Sequence, residues 1–335
     1  MVNTILPIHT DPIIKGRHHY ACMLSIITSY PCHQPWLYNN FIQLQLGTGD
    51  SNNALRFYNS ETPMYYSAKL FMESLKYDTL FALKPSNYSD FIVESISKEK
   101  YIYLFIDKYY IPNTPFHKTQ NRTMDLLIYG YDHPNRMFKV MSYNEKNAYD
   151  SIDVPYEAIE EGLKQTPHDG WCDNFYLLKY KNDENQLMPN YIREMIIDYI
   201  HSNNTSERLG IHGKDEDIRL SSYTNEYTFG VNAVKLATEN LIKEPYFNDC
   251  VTVLTTIRDH KKMMLKRIEY MVENCYLDND YQYSEILKLT EIARNYSIRY
   301  RLSRKKELFG KIHDILDEVL QKELRILIKV VTDLS

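Results

Sequence analysis

The spacing of hydrophobic positions changes near residue 180. Up to about Tyr180 the apolar residues fall in short alternating or continuous runs bounded by turn residues, and most of the prolines lie here. Tyr101-Ile102-Tyr103-Leu104-Phe105-Ile106 is rich in aromatic and β-branched residues and predicts a buried strand. Asp125 to Tyr131 (DLLIYGY) predicts a second strand. The turn signal Asp132-His133-Pro134-Asn135 then joins it to Met137–Met141 as a β-hairpin. Phe175 to Leu178 predicts a further strand. Helices are expected over Cys22–Tyr30, Tyr65–Tyr77 and Pro155–Lys164, with Pro155 suited to a first turn.

After Asn182-Asp183-Glu184-Asn185 the period becomes helical. Segments are expected over Pro189–His201, Tyr227–Lys243, Phe247–Cys275, Tyr283–Lys305 and Leu308–Thr332. The last carries Ile312, Ile315, Leu316, Val319, Leu320, Leu324, Leu327 and Val331 at intervals of three and four. The chain is therefore expected to be α+β over residues 1–184, followed by a helical domain over 185–335. The amphipathic last helix suits a homodimer as readily as a bundle. No long period repeats, which argues against a solenoid.

Composition narrows the function. A chain of 335 residues fits two domains at roughly 100–200 residues each. Its 39 Lys plus Arg against 44 Asp plus Glu give no overall basic field, so a nucleic-acid partner is not expected. Only 10 glycines occur, none in a G-x-G-x-x-G or Walker run, which argues against a phosphate loop. The cysteines are Cys22, Cys32, Cys172, Cys250 and Cys275, odd in number and without a C-x-x-C pair. That pattern fits reduced thiols and a cytoplasmic location. Pro7, His9, Asp11 and Pro12 interrupt any signal-peptide core, and no apolar run approaches the length of a membrane span. With no H-E-x-x-H or clustered His/Cys set, a metal is not expected.

The sharpest chemical feature is Cys22 in HHYACMLSIITSY. A helix starting there would place the thiol at its N-terminus, where the dipole and free N–H groups favour a thiolate. Such a thiolate is a starting point for acyl transfer through a thioester. The plain alternative is a small buried hydrophobe. Cys172, just before a strand, is better explained by packing.

A Cys on a helix, a long insertion, and a strand ending in Ile-Tyr-Gly-Tyr-Asp (Ile128 to Asp132) with its hairpin resemble the papain-like, peptidase-C39-like fold. More narrowly, the chain resembles bacterial proteins that share the N-terminal domain of the butirosin acyltransferase. An amide-forming cysteine-protease homologue of the closthioamide pathway looks related. The stretches concerned are Trp36–Leu44 (WLYNNFIQL), Phe105–Asn113 (FIDKYYIPN), Asp125–Asp132 (DLLIYGYD) and Asp259–Met271 (DHKKMMLKRIEYM).

The resemblance implies acyl transfer rather than proteolysis, in nonribosomal-peptide-like antibiotic biosynthesis. Cys22 would take an acyl group from a carrier-protein thioester and pass it to a small-molecule amine. The only cofactor implied is the phosphopantetheine arm of that carrier protein. The general base of such enzymes is a His at the start of the strand leading into the Gly-Tyr-Asp turn. Here that position is Met124, which cannot accept a proton. A catalytically idle relative that binds carrier proteins or pathway partners is therefore the rival expectation.

Other histidines must then be weighed. His133 lies at the far end of the strand, and His18 and His19 are close in sequence to Cys22, whereas a base normally arrives from a separate element. His117, in the loop before the strand, is the preferred base. The third member of such a site orients the imidazole, and Asn144 is the nearest candidate, with Ser142 next. Asp125 adjoins the Met124 position but should point to the opposite face of its strand. Asp259–Lys262 and Arg301–Lys306 are basic runs expected on solvated helix faces, suited to docking an acidic carrier protein.

Overall fold

The computed structural model describes residues 3–47, 54–58, 69–77, 87–167, 172–208, 227–243 and 250–334. In chain order the elements begin with β1 (Thr4–Ile5), α1 (His18–Ile27), α2 (Gln34–Asn39), β2 (Leu44–Gly47), β3 (Leu55–Phe57) and β4 (Leu70–Lys76). Next come α3 (Tyr88–Ser97), β5 (Tyr101–Asp107), a 3-10 turn (Lys108–Tyr110), β6 (Thr123–Asp132) and β7 (Met137–Tyr143). They are followed by β8 (Tyr149–Pro155), α4 (Tyr156–Gln165), β9 (Asn174–Tyr180), α5 (Pro189–His201) and α6 (Thr205–Arg208). The chain then forms β10 (Tyr227–Phe229), α7 (Gly230–Lys243), α8 (Cys250–Glu273), α9 (Ser284–Ser303) and α10 (Glu307–Asp333). The fold is α+β. No helix among the described residues is long and apolar enough to cross a membrane.

Two compact units emerge. The first comprises residues 1–12, 18–31 and 66–184, and the second 13–17, 32–65 and 185–335. A change of unit at 184/185 was expected, but segments 13–17 and 32–65 cluster with the C-terminal helices. Buried polar groups of α8 give the physical reason. Arg267 donates to the carbonyls of Tyr38 (2.7 Å), Asn40 (2.5 Å) and Phe41 (3.3 Å), and His260 Nε2 donates to that of Ile42 (2.7 Å). Asp259 accepts the backbone N–H groups of Lys15 (2.8 Å) and Gly16 (2.7 Å). These groups satisfy irregular backbone that no ladder serves. Asp259, His260 and Lys261 are fully buried, so the solvated face expected of that run is corrected, whereas Arg301–Lys306 is exposed throughout.

The first unit is built on an antiparallel sheet in the order β4-β9-β5-β6-β7-β8. β5 pairs with β6 through Ile128, and β1 then pairs beyond it at Gly130 and Tyr131. At Gly130 a Cβ would lie 2.9 Å from the Thr4 carbonyl, so the glycine of the Ile-Tyr-Gly-Tyr-Asp run lets β1 approach. The β6–β7 register also shifts there, between Ile128 and Gly130. The helix expected over Tyr65–Tyr77 is instead strand β4 over Leu70–Lys76, with residues 65–68 outside the described residues. Seven consecutive partners on β9, from Leu70↔Tyr180 to Lys76↔Asn174, decide in favour of strand. The helix expected from Cys22 begins at His18, and the one expected from Pro155 begins at Tyr156 with Pro155 as its N-cap.

The second unit holds a three-stranded antiparallel sheet, β10-β2-β3, and the helices α2 and α5–α10. Tyr227–Phe229, expected to be helical, pairs with Gly47–Gln45 of β2. Consecutive helices α8, α9 and α10 pack against one another. The start expected for α8 at Phe247 lies outside the described residues. Gly230 takes a φ of +57°, and a Cβ there would sit 2.2 Å from the Tyr199 carbonyl. Gly230→Ala is therefore expected to destabilise the unit by at least about 2 kcal/mol, read as a lower urea midpoint.

Candidate active site

Helix α1 is apolar and almost wholly enclosed; of its ten residues only His19 is not fully buried. Within it His18, Cys22 and Ser25 recur at i, i+4 and i+7, which puts three polar side chains on one face. The helix packs against β6 and β7. Cys22 is the fifth helical residue rather than the first, so its thiol lies beyond the free N–H groups of the opening turn.

His18 Nδ1 donates to Asp125 Oδ1 at 2.6 Å, and the Tyr103 hydroxyl donates to Asp125 Oδ2 at 2.8 Å. In the neutral imidazole this bond places the proton on Nδ1 and leaves Nε2 as the acceptor. That nitrogen is buried and makes no hydrogen bond among the described residues. Tyr143 packs against the His18 ring at 5.1 Å and Tyr149 edge-on at 5.7 Å. The Tyr149 hydroxyl hydrogen-bonds the Cys22 thiol and lies 3.2 Å from Ser25 Oγ. One ligand atom each from His18, Cys22 and Asp125 fall within 4.8 Å of one another, and all three residues are buried.

The electrostatics follow from this enclosure. Burial pushes the Cys22 thiol well above its ordinary value and the Asp125 charge adds to this, against the Tyr149 hydrogen bond and Lys108. The resting group is a thiol. Burial also opposes ionisation of Asp125, but electrostatic attraction to His18 and His19 and the hydrogen bonds from His18 and the Tyr103 hydroxyl outweigh it and hold the carboxyl below the usual carboxylate range. Asp125 is thus an ionised acceptor committed to His18. That commitment, and the Lys108 cation nearby, suit proton transfer better than capture of a dication.

Of the residues expected to form the site, the structure brings only Cys22 to this cluster. His117 sits half-buried in the turn after Ile111, its backbone N–H on the Thr114 carbonyl, and among the described residues no hydrogen bond, ion pair or ring contact links it to Cys22. Asn144 spends its side-chain oxygen on the N–H groups of Lys146 (3.0 Å) and Ala148 (3.1 Å), closing the β7–β8 turn. Met124 is half-buried opposite Ile106. His18 and Asp125 stand outside the set expected from the sequence. The signal available was the His18–Cys22–Ser25 spacing within an apolar run. No protein-family model matches the chain, and no curated protein matches it.

Proposed function

We propose that the chain is a cysteine-dependent acyltransferase with a papain-like first unit, in which His18 and Asp125 serve Cys22. The observation that carries this reading is a thiol, an imidazole and a carboxylate gathered within 4.8 Å inside a buried setting. In the first half-reaction Nε2 of His18 takes the Cys22 proton and the sulfur attacks the carbonyl carbon of a carrier-bound thioester. The bond from that carbon to the pantetheine sulfur breaks, and the departing sulfur takes the proton from His18. In the second, an amine attacks the Cys22 thioester, gives a proton to His18, and leaves as the amide while the proton returns to Cys22. Asp125 holds the imidazole tautomer and stabilises the imidazolium formed in each half. Because burial keeps the thiol protonated at rest, the nucleophile forms only when substrate is in place. Cys22 is 0% exposed, so the acyl arm must displace neighbouring side chains to reach it.

That same enclosure, with Met124 in the strand-start position, favours one second reading: an idle relative that binds carrier proteins without chemistry. Intact-protein mass spectrometry after incubation with acyl-phosphopantetheine carrier proteins separates the two. The expected result is a mass increase of one acyl group, mapped to Cys22 and absent from Cys22→Ala. Carrier binding with no adduct on the parent chain would establish the idle reading.

A further inference from the structure

A carboxylate turns about its last side-chain torsion in a broad, roughly two-fold well, so nothing within Asp125 decides which oxygen meets His18. Its direct cross-strand neighbour on β5, Phe105, offers no side-chain donor. The donor comes from the diagonal position instead. Tyr103 stands opposite Leu127, two residues along β6 from Asp125, so the two side chains share one face of the sheet. Both are buried. The Tyr103 hydroxyl donates to Asp125 Oδ2 at 2.8 Å, while Oδ1 accepts from His18 Nδ1 at 2.6 Å.

The tyrosine is itself held. Strand β5 lies between β9 and β6, and Tyr176 of β9 pairs directly with Tyr103, their ring centres 5.8 Å apart. The Phe105 ring meets the Tyr103 ring edge-on at 5.6 Å. Wedged on an interior strand, the hydroxyl is a fixed point that pins one oxygen of Asp125 and so aims the other. His18 sits on α1, outside the sheet. Besides its contacts with the Tyr143 and Tyr149 rings, its imidazole makes one hydrogen bond among the described residues, to Asp125. The aim of that carboxylate therefore governs how the imidazole is turned and where Nε2 lies.

We propose that Tyr103 is a positioning residue: it locks the Asp125 carboxylate so that one oxygen stays turned to His18 Nδ1 and Nε2 remains the nitrogen that exchanges the proton. The proposal rests on the acyl-transfer reading for its purpose, but one of its two measurements does not. With 15N-labelled histidine, the Nδ1 proton of His18 is read as a low-field NMR signal, identified by its absence from His18→Ala. Tyr103→Phe removes only the hydroxyl, and in it that signal is expected to be lost or to move upfield. Single-turnover loading of Cys22 at saturating acyl-carrier protein should slow by about tenfold, with the half-saturating carrier concentration unchanged. A tyrosine that merely fills space and satisfies a carboxylate would lower the urea midpoint and leave both readouts where they were. Tyr103→Met replaces the phenylalanine variant if that one fails to fold, as judged by circular dichroism. A folded variant that keeps the parent signal, or loses it and still loads at the parent rate, overturns the proposal. A lost signal in a protein whose parent form never loads acyl groups keeps Tyr103 as the residue that holds Asp125 to His18 and removes the acyltransferase.

Discussion

A His18→Ala variant is expected to load acyl groups onto Cys22 about 10²–10⁴-fold more slowly than the parent, the usual contribution of a positioned general base. The change removes the only imidazole hydrogen-bonded to Asp125 among the described residues, and leaves the thiol protonated by burial. His117→Ala should leave the rate near that of the parent, because among the described residues no bond links His117 to the cluster. Single-turnover loading followed by mass spectrometry checks both. Equal losses in the two variants, or none in His18→Ala, would remove His18 from the mechanism. A pH signature accompanies the rate. The folded Asp125 carboxyl titrates below its unfolded value, so its stabilising contribution is present above the ordinary carboxylate range and is lost as pH falls through the folded value. Without His18 that loss should begin at a higher pH.

The second large effect is expected in the helical unit. Glu323 and Lys261 are fully buried and lie 2.6 Å apart. The other Glu323 oxygen accepts the Tyr283 hydroxyl, and Tyr199 donates to Glu323 at 3.1 Å while accepting from Lys261 at 2.7 Å. Lys261 also donates to His260 Nδ1 at 3.2 Å, and burial with the Lys261 charge keeps that imidazole neutral. Every member of this network has its partner. Glu323→Ala strands a buried ammonium and should cost about 3–5 kcal/mol, seen as a lower urea midpoint. Replacing both ions, as Lys261→Met with Glu323→Leu, should recover most of that loss. A double variant as unstable as the single one would show that the two tyrosines, not the ion pair, set the cost.

How much of this was legible in the chain depends on what each residue competes with. The C-terminal helices follow from spacings of three and four because nothing overrides an amphipathic period of that length. β4 reads locally as helix because Leu, Met, Glu and Lys in LFMESLK favour helix, and only pairing with β9 reverses that preference. The Asp259–Lys262 run reads as solvated because charge normally is; the partners of Asp259 and His260 lie over 200 residues away in sequence. At the site, Cys22 stood out by its setting. His18 did not, because helix α1 starts four residues earlier than the apolar run suggested. Strand alternation argues against Asp125 as a neighbour of Met124 but says nothing about which helix covers the other face.

The Arg267 contacts also bear on how this chain is made. The carbonyl of Tyr38 waits for a donor 229 residues further along. At typical synthesis rates, the ribosome needs on the order of 10–50 s to produce that distance of chain. Throughout that interval Trp36, Leu37, Phe41 and their neighbours have emerged without the helix that will enclose them. A nascent chain of this kind invites holdase binding early and completes its second unit only after release, and stalling translation before residue 267 should leave it sensitive to protease near residue 40.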